Sequence, residues 1–61
     1  MSTRYRVNFG GGQVWYFRTH KECADYIIAA RQDARDPYAG LYCVETKDLD
    51  TGEWFRSRKQ P

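Results

Sequence analysis

His20 and Cys23 are the first residues whose types and spacing could do chemistry. They lie three apart at the start of a helical pattern, where a thiol's pKa tends to fall, so a Cys and His nucleophile is conceivable. No third group is placed to orient the imidazole, and Cys23 falls in an apolar stripe, so it reads as a small buried hydrophobe. Adding Cys43 gives three metal-ligating side chains without a clear fourth, and without the paired C-x-x-C spacing of structural zinc. Gly10 to Gly12 would suit a phosphate cradle if a helix followed, but a strand pattern follows. Asp48, Asp50 and Gly52 begin like a calcium loop, yet the glycine comes one position early and Lys59 stands where a bidentate Glu belongs. No carboxylate pair has a cleft to house it. The expectation is a non-enzymatic chain with no metal, cofactor or small-molecule substrate.

Binding chemistry remains. The basic residues number ten, seven of them Arg, while most of the acids lie between Glu22 and Glu53. The candidate set is Arg4, Arg6, Tyr16, Arg18, Trp54 and Arg56. Trp, Tyr and Arg are concentrated at protein interfaces because they bury much area and still hydrogen-bond. The same residue types suit nucleic acid, with guanidinium groups on phosphates and rings on bases.

These side chains must be positioned by a few short elements, of which the stretch THKECADYIIAARQ, Thr19 to Gln32, is the organiser. Thr19 and Glu22 have the S/T-x-x-E spacing of a capping box. Cys23, Ile27, Ala30 and Ala34 recur on one side, flanked by Ala24, Tyr26 and Ile28, with Glu22, Asp25, Gln32 and Asp33 opposite. One apolar stripe predicts a helix, about 20–33, lying on a sheet.

Strands are predicted at about 4–9, 13–18, 41–47 and 53–58. RYRVNF and QVWYFR alternate around three glycines; a three-residue loop opposes Phe9 to Gln13, Val7 to Trp15 and Tyr5 to Phe17. That register turns Tyr5, Val7, Phe9, Trp15 and Phe17 inward and Arg4, Arg6, Asn8, Val14, Tyr16 and Arg18 outward. LYCVETK and EWFRSR pair around DLDTG, with Gly52 left-handed and Thr46 opposite Phe55. This faces Tyr42, Val44 and Phe55 inward and Cys43, Glu45, Lys47, Trp54 and Arg56 outward. Glu45 with Arg56 and Lys47 with Trp54 are the expected cross-strand pairs. Gln60 and Pro61 read as a frayed end.

The order is ββαββ, an α+β domain spanning 1–61 with one helix on one face of a four-stranded sheet. A right-handed crossover lets the first and last strands lie parallel in the centre. In element order, size and the hairpin spacing around DLDTGE this resembles the β-grasp of the small immunoglobulin-binding domains of streptococcal protein G. The resemblance extends to no sequence motif and carries no function. The alternative is a wholly antiparallel four-stranded sheet under one helix.

Sixty-one residues bury a core only if it is rich in large side chains, and 16% of this chain is aromatic. No apolar run approaches membrane-spanning length and the N-terminus lacks a signal-peptide core, so a soluble, cytoplasmic protein with both cysteines reduced is expected. A net charge of +2 is too mild to declare a nucleic-acid protein, and the acids at Glu45, Asp48, Asp50 and Glu53 would repel phosphate over half of the face. The leading expectation is a small protein-binding module, an adaptor or inhibitor such as one encoded by a phage or mobile element. Its partner would be an unidentified protein or a second copy, met through the outer face or an exposed edge strand. Nucleic-acid binding by the same face is the alternative.

Overall fold

The computed structural model describes residues 4–33 and 35–61. Ala34, expected on the helix stripe, and the polar lead-in 1–3 lie outside the described residues. The elements are strand β1 (Tyr5–Asn8), strand β2 (Val14–Phe17), helix α1 (His20–Gln32), a 3-10 turn (Ala39–Leu41), strand β3 (Cys43–Lys47) and strand β4 (Trp54–Arg56).

Local chemistry fixes both hairpins. Gly10, Gly11 and Gly12 all have positive φ, which an L side chain rarely adopts, and Phe9 N–H closes the turn on the Gln13 carbonyl at 3.0 Å. The register that follows pairs Tyr5 with Phe17 and Val7 with Trp15. In the second hairpin Gly52 is again left-handed, Asp48 N–H bonds Glu53 O at 2.8 Å, and Thr46 faces Phe55. Helix α1 starts where the capping signal places it: the Thr19 hydroxyl accepts from Glu22 N–H at 3.1 Å, while the Glu22 carboxylate reaches back to Arg18 N–H at 3.3 Å.

The sheet order is β2-β1-β3-β4 and every neighbouring pair is antiparallel. Of the two arrangements the sequence allows, this is the wholly antiparallel one; the central parallel pairing of a β-grasp does not form. The physical reason lies in which strand of the second hairpin suits the centre. With β3 beside β1, Val44 opposes Val7 beneath the helix and Glu45 opposes Arg6 on the outer face. Strand β4 would bring Phe55 and Ser57 instead, on a shorter strand, and it takes the edge.

Val7, Val44, Cys23 and Ile27 are fully buried and form the core, with Tyr5, Phe9, Phe17 and Tyr42 packed around them. Trp15 and Phe55 point to the helix side as expected but stay 62% and 49% exposed. One helix over the central strands leaves the inner side of both edge strands partly open. The tail also differs from expectation. Gln60 lies along β3 beyond the end of β4, its Oε1 accepting from Val44 N–H at 2.9 Å and its Nε2 donating to the carbonyls of Val44 and Ser57. His20 meets Lys59 O and Arg31 donates to Pro61 O, both at 2.8 Å, so both turns of the helix ends hold the tail.

Candidate functional site

On the outer sheet face the registers align Tyr16, Arg6, Glu45 and Arg56 in one row across the four strands. Lys47 and Trp54 stand in the next row, and Arg4 and Arg18 continue the same alternation. All six residues expected to bind therefore share this face, although β3 separates β1 from β4.

They are not equivalent. Arg6 Nε donates to Glu45 Oε1 at 2.7 Å, with only 20% and 15% of the two side chains exposed. The Trp54 ring covers the guanidinium, 4.3 Å from centroid to Cζ, and Tyr16 leans across from the opposite edge to meet Trp54 at 5.7 Å. Arg6, Glu45 and Trp54 form a small second core that satisfies itself. The expected pairing of Lys47 with Trp54 holds in register, but the cation on the ring is Arg6; the ion-pair partner of Glu45 is Arg6 rather than Arg56. Arg4, Arg18 and Arg56 are exposed, and among the described residues none of the three is ion-paired.

Strand β2 completes the surface. Among the described residues it has β1 on one side and no strand on the other. Because Phe9 N–H bonds Gln13 O, the alternation of an antiparallel ladder aims the backbone groups of Trp15 and Phe17 at β1 and those of Val14 and Tyr16 at the free edge. Trp15 on one side and Tyr16 on the other are 62% and 50% exposed. The sequence contains both aromatics, but it placed Trp15 in the core; the signal that could have revealed the edge is the absence of any charge from Gln13 to Phe17.

Elsewhere the chemistry is quiet. Cys23 is fully buried, and burial pushes its thiol up to about 11, opposite to the activation a nucleophile needs. Tyr42 donates to both oxygens of Asp36, which raises its pKa by keeping the hydroxyl protonated. An open pocket of about 360 Å³ between the glycine turn and the 3-10 turn has Phe9, Tyr38, Leu41 and Tyr42 in its walls, and among the described residues that line it the titratable side chains are the two tyrosines. Among the described residues no three His, Cys, Asp or Glu side chains converge as a metal site, and no helix is long and apolar enough to cross a membrane. The chain matches no protein-family model, no curated protein and no solved structure.

Proposed function

We propose that this chain is a small non-enzymatic protein-binding module, an adaptor or inhibitor acting in the cytoplasm, that meets its partner with β2 and the outer face beside it. The observation that carries the reading is an edge strand with no charge from Gln13 to Phe17 whose two central aromatics both reach solvent. Such an edge offers an extended partner both main-chain hydrogen bonds and apolar contact. The exposed Arg4, Arg18 and Arg56 supply a polar rim. Both cysteines are free thiols, in keeping with a reducing compartment.

The test is capture from lysate by the tagged chain, with and without nuclease, at low and high salt, with Tyr16→Ala as control. The reading expects a discrete protein that survives nuclease and salt and is lost with the variant. A second reading, nucleic-acid binding, is favoured by the exposed Arg4, Arg18 and Arg56 on the same face as Tyr16, none of them ion-paired among the described residues, and expects material that disappears with nuclease and weakens steeply with salt. Against it, the arginine nearest the middle of the face is already neutralised by Glu45.

A further inference from the structure

The geometry points to a specific occupant of the β2 edge: the β2 strand of a second copy of this chain, antiparallel across a two-fold axis at Trp15, joining two four-stranded sheets into one. This rests on the reading of β2 as a binding edge and names its partner.

The free backbone groups select both the occupant and the register. Val14 and Tyr16 present their N–H and C=O outward, whereas Arg18 N–H, which has the same orientation, is already held by Glu22. An axis at Trp15 pairs Val14 with Tyr16 of the other copy, twice by symmetry, and each pair exchanges both of its hydrogen bonds. Every free group between Gln13 and Phe17 is then satisfied without disturbing the helix cap. Shifting the axis to Tyr16 would demand Arg18 N–H and break that cap.

Side chains agree with the same register. Trp15 meets Trp15 at the non-hydrogen-bonded centre, where cross-strand side chains approach most closely, and aromatic pairs there are favourable. On the outer face each Val14 meets a Tyr16. Arg18 falls opposite Gly12 of the other copy, so the antiparallel arrangement sends the two Arg18 charges to opposite ends, whereas a parallel one would set them side by side. Tyr26, packed on Phe9 and Phe17 on the helix side, adds apolar area next to the edge. The other edge is less suited: β4 has three residues, ends in Arg56 and runs into Arg58 and Lys59. An interface of one short strand and its flanking rings lies at the small end of specific interfaces, which suits a dissociation constant on the order of micromolar.

Sedimentation velocity over a concentration series is the test. A shift from the 7.2 kDa monomer to twice that mass is expected, accompanied by a coupled-tryptophan signal in circular dichroism that grows with the dimer. Trp15→Ala should weaken association at least tenfold, as loss of a central aromatic anchor does. Val14→Pro removes one outward N–H per copy and no bond to β1, so it should abolish association while the far-ultraviolet spectrum of the fold persists. A chain that stays monomeric at every concentration overturns the proposal, as does a dimer indifferent to both variants. Neither result bears on capture of a heterologous protein by the outer face, which the lysate experiment reads separately.

Discussion

Arg6 sits between Glu45 and Trp54, its Nε 2.7 Å from the carboxylate and its guanidinium carbon 4.3 Å from the ring centroid. On a face otherwise open to solvent, this sandwich shields an ion pair between the two central strands. The pair is mostly screened from water, so removing one partner strands the other. Glu45→Ala should cost about 1–3 kcal/mol, and the Arg6 and Glu45 double-mutant cycle should return a coupling above 0.5 kcal/mol. Thermal and urea denaturation of the four proteins checks it; an additive cycle would mean that the pair is decorative.

Trp54→Ala carries a related expectation. Read from the sequence alone, the side chain is a surface anchor whose loss leaves folding nearly intact. Its place over Arg6 gives it a stability role of about 1–2 kcal/mol from the cation–π contact and lost burial. Urea midpoints measure this directly, and any effect of the variant on binding should be judged only after that loss is known.

Gln60 replaces a strand residue along β3. Gln60→Ala leaves Val44 N–H without its partner and should destabilise the chain by about 1–2 kcal/mol, with faster amide exchange at Val44 than at Val7. Gln60→Glu keeps the acceptor but sets a carboxylate oxygen against the carbonyls of Val44 and Ser57 in place of the donor, so it should destabilise at least as much as Gln60→Ala at neutral pH.

Cys23 makes the chain sensitive to alkali. Its folded pKa of about 11 is raised above the ordinary value of 9.0, chiefly by burial and secondarily by Glu22. A raised pKa means that the folded state holds the proton more tightly than the unfolded one. Its contribution is therefore complete below pH 9 and is lost as pH rises toward 11. Cys23→Ala should flatten the stability curve in that window. In the native protein a thiol reagent at neutral pH should modify the half-buried Cys43 well before Cys23.

What could be read in the sequence is what local chemistry decides. The glycine turn, the DLDTG turn and the Thr19 cap each act within a few residues, and the hairpin registers and the helix follow from them. The neighbour of β1 is a contest between β3 and β4 over long-range packing, settled by Val44 on Val7 and Glu45 on Arg6, and no local pattern encodes it. The burial of Trp15 and Phe55 depends on how far one helix reaches across the sheet. Gln60 gave no sign because a lone polar residue near the end of a chain has no periodicity. For the outer face, alternation places the six candidate side chains on one surface, but only the structure separates the committed Arg6 and Trp54 from the available Arg4, Arg18 and Arg56.

The measurement that most directly tests the β2 edge as the surface where two copies pair is amide hydrogen exchange at single-residue resolution across a concentration series. Val14 and Tyr16, unprotected in dilute solution, should become protected as concentration rises, while Trp54 and Arg56 on the other edge continue to exchange. Unchanged exchange at Val14 and Tyr16, with protection appearing elsewhere or nowhere, would contradict it.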